Sequence, residues 1–588
     1  MLDIFSEINE ITNKYKIDTQ KYLKVQLESL MESIFENAVQ KYGKRVIVRG
    51  IKTTEGKINP LLAFVEKYMD IVGVQDIALN DGFVYVSPNK RVPVIPLTAS
   101  LPEFDIYLIN ALLIGQGIRF EMEKKVDKEK IFFLDLYYIL RNDYGMEVGK
   151  NYEFYDKEYD CTSRRIKDAL KEDRLNGTDE SLLNLLGQCL CIGDFVSFFK
   201  VKNLEMRRIH DSILLKDFIS EVELLITKIK AEFKRRKKQF NGKKDIIWKW
   251  IDCVSYDELP TLKNVEKRIK NGIFFTEVYT PTPYTRPTLR SIFWQEFRKI
   301  GLAAKGEYTP KDLNDSYLFN LIKDYGYEFE SFGYIKKCLD PEYQYCEEAE
   351  ISTASCMLYL RLLNRVLKSN KPFFGIVHNY LETHKPYSCP WENIPGGAYV
   401  FANSYKELEE KINVSANYSD QTIDFYSDIM GDQSIGIYMS DHGKWGFIEN
   451  RRYKDESMHV FLGIENMGIK AEVTRLFSLL DFNKLVEWIL KSNEILQEEM
   501  IFGDIELYSE SVRGIVERNQ GDTEDICSGF IGVNTVTDKY CILDSGKEYY
   551  FLKEDKESFN HIANEKYRSR IEYLKNKLNI LIKMHENS

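Results

Sequence analysis

Apolar positions recur at several spacings along this chain, and each predicts a different kind of element. Residues 1–42 place them at helical intervals, as in KYLKVQLESLMESIFENAVQKYG. That spacing predicts two helices ending at Gly43. Short β-rich runs follow: KRVIVRG (44–50), MDIVGVQDIALND (69–81), VPVIPL (92–97) and FDIYLINALLIG (104–115). A helical stretch, KINPLLAFVEKYM (57–69), separates the first two. Buried β-rich runs alternating with a helix predict a parallel sheet with crossovers. Residues 126–240 read as mostly helical, the last helix running from about Glu205 to Phe240. Beyond 243, three strand-like runs end on acids or histidines: DIIWKWID (245–252), KPFFGIVH (371–378) and SIGIYMSDHG (434–443). The predicted organisation is a helical segment (1–43), an α/β unit (44–125), a helical connector (126–242) and a large α/β unit (243–588).

Composition narrows the function classes. At roughly 150 residues per domain, 588 residues suggest two to four units. The 44% apolar share is that of a globular chain and excludes wholesale disorder. With 81 basic against 91 acidic residues, a general nucleic-acid binder is not expected. The opening MLDIFSEINEITNKYK has no basic stretch followed by an apolar core, and IYLINALLIG is about half the roughly 20 residues of a membrane helix. The expectation is a soluble, cytoplasmic protein without a membrane span. The ten cysteines are scattered, and Cys189 with Cys191 is the one tight pair. Without a second cluster, buried free thiols are expected rather than a zinc site.

Two features of the first half carry candidate chemistry. The α/β unit at 44–125 resembles a small Rossmann-like nucleotide-binding domain. Its first strand leads into Gly50-Ile-Lys-Thr-Thr-Glu-Gly56, which departs from G-x-G-x-x-G, and its second ends near Asp76, where a ribose-binding carboxylate could sit. A nucleotide site and a structural or partner-binding role both remain open for it. The run KAEFKRRKKQFNGKK (230–244) could bind phosphate, but a solvated helix end whose cations complement the C-terminal dipole is the expected reading.

The second half is richer. In open α/β sheets the loops beyond the carboxyl ends of the strands build the site. Four of the seven histidines, His378, His384, His442 and His459, fall between 378 and 459. Acids and imidazoles at strand ends form the donor set of Zn²⁺ or Mn²⁺. His378 itself is expected to face the core or to stand behind a ligand.

From about Lys243 onward the chain resembles the sulfatase-type branch of the alkaline phosphatase superfamily. The carriers, in the family's order, are DIIWKWIDCVSYDELPTL, NGIFFTEVYTPTPYTRPTLRSIFW, HNYLETHKPY, SDHG and MHVFLGI. The tail GFIGVNTVTDKYCILDSGKEYYFLKEDKESFNHIANEKY resembles the family's small C-terminal sheet, here about 500–588. The resemblance implies a mixed sheet sandwiched by helices. It assigns Asp252, Thr285, Asp441, His442 and His459 to metal binding. Thr285 takes the nucleophile's place, and His384 and His459 act in catalysis or hold a second metal. Arg286 and Arg290 would bind substrate.

Departures from the family pattern shift the expected chemistry. Sulfatases oxidise a Cys or Ser nucleophile to formylglycine, which Thr285 cannot form. Cys253 follows Asp252 where a second acid is usual, and Lys444 stands where Glu is usual after SDHG. The expectation is a metal-dependent hydrolase or transferase acting on a small-molecule, glycan or lipid phosphate ester through a covalent phospho-threonine, similar to phosphoethanolamine and phosphoglycerol transferases. A sulfuric ester hydrolase without formylglycine and a catalytically silent nucleotide-sensing protein are the alternatives. Tyr317, Tyr325, Tyr327 and Tyr334 could cap the site, although ordinary packing is expected for most of them.

Overall fold

The computed structural model describes residues 2–19, 21–22, 35–36, 38–50, 61–76, 79, 82–87, 90–109, 118, 121–133, 147–148, 154–155, 162–240, 242–294, 312–333, 346–347, 353–384, 389–391, 405–443, 454–491, 507–511, 530–543 and 545–586. Within them the chain is α/β, with a mixed central sheet between helical layers and a separate small sheet near the C-terminus.

The first sheet is parallel. Its strands are β1 (Arg45–Arg49), β2 (Asp70–Gln75), β3 (Ile106–Ile109) and β4 (Ile131–Phe133), in the order β2-β1-β3-β4. Helix α2 (Leu61–Tyr68) connects β1 to β2, as the pattern predicts. β4 comes from a stretch read as helical, because Ile131-Phe132-Phe133 gives the sheet another apolar strand to bury. The run at 92–97 does not join this sheet as a full strand. Its first residues close a hairpin, Phe83–Ser87 with Lys90–Pro93.

The central sheet is built from β5 (Asp245–Ile251), β6 (Ile273–Tyr279), β7 (Glu328–Phe332), β8 (Cys346–Glu347), β9 (Phe373–Asn379), β10 (Ser434–Met439), β11 (His459–Glu465), β12 (Ala471–Val473) and β13 (Phe477–Ser478). The order is β8-β7-β9-β5-β10-β11-β6-β12, with β13 also on β6. β5 lies between β9 and β10 and is parallel to both. β11 runs antiparallel to β10 and to β6. The carboxyl ends of β5, β9, β10 and β6 therefore share one edge.

Alternation along β5 explains both helical layers. Ile246, Trp248 and Trp250 enter one core, with Leu289 and Phe293 of α8 (Thr285–Trp294), Phe319 of α9 (Tyr317–Asp324) and Phe482 of α12 (Phe482–Lys491). Ile247 and Ile251 enter the other core. That second layer holds α1 (Ile4–Lys14), α4 (Asp179–Cys191), α5 (Phe195–Leu204), α6 (Ile213–Gln239), α10 (Ser355–Lys368) and α11 (Tyr405–Met430). Helices from the first 240 residues thus cover one face of the central sheet, beside α3 (Thr162–Asn176) and with α7 (Lys263–Lys270) in the same core.

The basic run divides. Lys234 and Arg235 are exposed, as a solvated helix end should be. Arg236 is buried. It donates to both Asp245 oxygens at 2.8 and 3.1 Å and to the carbonyls of Ser369 and Lys371 at 2.7 and 2.6 Å. It staples α6 to the amino ends of β5 and β9. Tyr327 lies at that same end, its hydroxyl donating to the Lys244 carbonyl at 3.2 Å, so it packs far from the carboxyl edge. Tyr334 lies outside the described residues.

The small sheet is antiparallel, β14 (Leu507–Ser511), β15 (Phe530–Asn534), β16 (Asp538–Leu543) and β17 (Glu548–Leu552). Phe530, Cys541, Leu543 and Phe551 pack on Tyr279 of β6 and on Met458, just before β11, and α13 (Arg568–Glu586) covers Val533 and Tyr540.

Candidate functional site at the carboxyl edge

Four elements bring the predicted residues to one place. Asp252 follows β5 and is fully buried. Asp441 and His442 follow β10 and are buried too. Thr285 begins α8, half-buried, after the turn that leaves β6. Its Oγ1 lies 3.4 Å from Asp252 Oδ2 and 3.2 Å from His442 Nε2. His442 Nε2 lies 3.5 Å from Asp252 Oδ1 and 3.5 Å from Asp441 Oδ2. Near Asp441-His442 the chain needs glycine: a Cβ on Gly443 would meet the Glu456 carbonyl oxygen at 1.9 Å.

The nearby threonines differ in what their hydroxyls do. Thr288 is buried and bonded within the turn, 3.1 Å from Thr280 Oγ1 and 3.1 Å from the Thr282 carbonyl. Thr282 is fully buried as well. Thr285 alone of the three is partly open and faces the acids.

The histidines have distinct jobs. His442 Nδ1 lies 2.8 Å from the Gly443 carbonyl, which can only accept, so Nδ1 carries a proton and Nε2 faces the acids, able to offer its lone pair to a cation that displaces its own proton. His378, fully buried, donates from Nε2 to Asp252 Oδ2 at 2.8 Å and thereby orients that carboxylate. His384 is half-buried, stacks on Tyr380 with centroids 4.4 Å apart, and lies close enough to act on the charge of Asp252. His459 does something else: its ring is sandwiched between Tyr256 and Tyr279, at 4.4 and 4.8 Å, and Nε2 donates to the Thr276 carbonyl at 2.8 Å. Burial lowers its pKa, against the pull of Asp455. That geometry commits Nε2 to the backbone instead of a metal.

Arg290 is half-buried on α8, five positions after Thr285 and so about 140° around the helix. The side chain of Arg286, the loop around Lys444, and the Gly50–Gly56 loop beyond Gly50 lie outside the described residues.

Charge is poorly compensated here. Asp441 Oδ1 and Oδ2 and Asp252 Oδ1 are buried and accept no hydrogen bond. Burial first, and the Asp252 charge second, push the Asp441 carboxyl above its usual range. Burial would do the same to Asp252, but the His378 hydrogen bond and the His384 and His442 charges hold it below that range. Burial opposes a charged His442, yet Asp441, Cys253 and Asp252 together raise its pKa well above the ordinary value.

These residues fit a divalent cation. Two carboxylates, an imidazole lone pair and a hydroxyl converge, and ligands held at about 2.0–2.2 Å around one tetrahedral ion stand roughly 3.3–3.6 Å apart, close to the separations seen here. Asp252, Cys253 and His442 also form a group whose ligand atoms lie within 4.8 Å of one another. Cys253 was not among the sequence candidates. Its backbone is left-handed, φ 66°, and its Sγ lies 3.7 Å from His442 Nδ1, on the side of the ring away from the acids. Its place directly after Asp252 was the available signal.

No family model and no curated protein matches the chain. Among solved structures it is similar to a phosphonate monoester hydrolase of Agrobacterium radiobacter, at 14% identity over 58% of this chain and 96% of that one, TM-score 0.44. A putative sulfatase from Bacteroides thetaiotaomicron is 15% identical over 58% of this chain and 93% of that one, TM-score 0.45. A protein in the alkaline phosphatase superfamily from Vibrio parahaemolyticus is 16% identical over 59% and 88%, TM-score 0.41. Among the described residues no helix is long and apolar enough to cross a membrane.

Proposed function

We propose that the carboxyl edge of the central sheet is the active site of a metal-dependent phosphoric ester hydrolase or transferase, with Thr285 as nucleophile. One observation carries this reading: three donor-free buried carboxylate oxygens meet an imidazole lone pair and an accessible hydroxyl.

Asp252, Asp441 and His442 Nε2 would hold the cation. When bound there, a Zn²⁺ or Mn²⁺ ion supplies Lewis acidity, favouring the ionised hydroxyl and neutralising charge on phosphoryl oxygens. His378 keeps Asp252 in place throughout. Thr285 Oγ1 forms a bond to phosphorus while the ester oxygen departs with its electron pair. With His442 Nε2 engaged by the cation, the hydroxyl proton would pass to Asp252 Oδ2, 3.4 Å away. His384, half-buried and close enough to act on the charge of Asp252, would give a proton to the departing oxygen. Water or an alcohol then attacks the phospho-threonine, and Thr285 leaves with its oxygen. The N-terminal end of α8 adds favourable dipole for the incoming anion. Phosphate is favoured over sulfate because threonine cannot yield formylglycine.

Two measurements test the reading together. Purified protein should contain, or be activated by, a divalent metal that Asp441→Asn removes. A panel of chromogenic phosphate monoesters, diesters and sulfate esters should show turnover of phosphate esters. A protein that neither holds metal nor responds to it fails the proposal. Turnover of sulfate esters alone fails the substrate assignment.

A further inference from the structure

The N-terminal parallel sheet buries a cation that nothing in the described protein neutralises. Arg49 ends β1 and is 2% exposed. Its Nη1 is buried with no hydrogen-bond partner. Among the described residues no carboxylate is paired with it. An arginine cannot escape burial by shedding its charge as a lysine or an acid can. A guanidinium in this position therefore needs an anion.

The neighbours on its face of the sheet cannot supply one. Arg49 pairs in register with Gln75 on β2 and with Ile109 on β3. Both ends of the Gln75 amide are occupied: Oε1 accepts from the Tyr107 hydroxyl at 2.5 Å, and Nε2 donates to the Pro96 carbonyl at 3.3 Å. Tyr107 feels the charges of Arg49 and Glu121. Glu121, however, pairs with Lys125 at 3.4 Å.

Topology says where the missing anion sits. β1 is central. The chain passes from it to β2 on one side and later returns to β3 on the other. The carboxyl ends of β1 and β3 thus flank a switch point, the crevice that ligands occupy in open parallel sheets. Arg49 stands at that end.

We propose that this edge is an anion site anchored by Arg49, and that its ligand is the phosphate group of a phosphorylated small molecule. The planar fork matches phosphate oxygens two at a time, and a phosphate brings the full compensating charge. The site is separate from the carboxyl edge of the central sheet and does not depend on the reading given for it.

Calorimetric titration of the full chain tests this with inorganic pyrophosphate, inorganic phosphate and succinate, on wild type, Arg49→Met and Arg49→Lys. Wild type should bind the phosphates, and Arg49→Met should weaken that binding by about tenfold or more, the scale of losing charge-assisted hydrogen bonds. Arg49→Lys keeps the charge but loses the fork, and should fall between. Comparison with Arg49→Met separates this binding from any anion taken up at the catalytic edge. Without ligand, Arg49→Met should melt no lower than wild type, because methionine fills the space without an unpaired charge. Equal phosphate binding by wild type and Arg49→Met, or no binding by wild type, overturns the site. Arg49-dependent binding of succinate alone overturns the phosphate assignment. Melting of Arg49→Met several degrees lower, with Arg49→Lys binding as tightly as wild type, makes Arg49 a packing residue and overturns the proposal.

Discussion

Two sheet edges in this protein bury charge, with opposite signs. At the central sheet the carboxyl ends of β5 and β10 hold Asp252 and Asp441, three of whose four oxygens lack donors. At the N-terminal sheet the carboxyl end of β1 holds Arg49, whose Nη1 lacks an acceptor. Two other buried cations are paired. Arg236, as buried as Arg49, meets a carboxylate and two carbonyls. Lys539, also fully buried, pairs with Asp455 and Glu557 at 3.0 Å each. An unpaired buried ion is costly, and a fold that pairs its structural ions can sustain bare ones where a ligand of opposite sign completes them. The acids then point to a cation and the arginine to an anion.

The comparison is broken most directly at the acidic edge. Thr285→Ala should lower turnover by on the order of 10⁴ to 10⁶ while leaving the melting temperature near wild type, since it removes one half-exposed hydroxyl. Thr285→Ser should stay active. Thr288→Ala should do the reverse, costing about 1–2 kcal/mol of stability in denaturant titrations by cutting two buried hydrogen bonds, with turnover kept within a few-fold. Activity surviving in Thr285→Ala but lost in Thr288→Ala would place the nucleophile three residues on.

The two buried arginines form the next test. Arg236→Met should destabilise by about 3–5 kcal/mol in urea titrations, because it strands Asp245 in the core with its partner gone. The same substitution at Arg49 should cost nothing in the absence of ligand. Equal losses at both positions would mean that Arg49 has a structural partner after all.

Apolar runs ending on acids and histidines made β5, β9 and β10 legible with Asp252, Asp441 and His442 at their ends, and the family resemblance singled out Thr285. What escaped depends on contacts distant in sequence. Arg236 sits in a run of cations that looks solvated throughout, and only the approach of Asp245 and the β9 entry makes it a core residue. His459 resembles a ligand by motif, but the tyrosines that sandwich it come from 256 and 279. The Asp252-Cys253 step is visible in the chain, yet the left-handed backbone that turns Sγ behind His442 is not. The helices before residue 240 show their apolar stripes without showing that the central sheet is what they cover.

A buried acid can also avoid bare charge by taking a proton, and Asp194 sharpens the comparison in that way. One of its oxygens caps α5 by accepting from Ser197 N at 2.9 Å, and burial pushes its pKa up to about 6 despite that bond. Its folded value lies above its unfolded one. The stability it confers is therefore complete below about pH 4 and is lost as pH rises through about 6. The expected loss between pH 4 and 8 is at most about 3 kcal/mol, from a shift of roughly two units. Asp194→Asn keeps a capping oxygen but cannot ionise, so its denaturant midpoint should change less between those pH values than that of wild type. Parallel curves for the two proteins would show that Asp194 remains ionised when buried.

The smallest effect is expected where charge is not buried at all. Lys234 and Arg235 immediately precede Arg236 on α6, and both are exposed. Arg235 pairs with Glu232 one turn back, on a side chain that is 71% open to solvent. Exposed pairs of this kind contribute between nothing and about 1 kcal/mol, because water and salt screen them and two long side chains must be held still. Lys234→Gln with Arg235→Gln should therefore move stability by no more than about 0.5 kcal/mol and turnover by no more than a few-fold, measured beside Arg236→Met in the same buffer. The three adjacent cations would then separate by burial alone, since they share a helix and a formal charge. A hundredfold fall in turnover for the double variant, with stability unchanged, would instead assign Lys234 and Arg235 to substrate, and this end of α6 would no longer be a solvated surface.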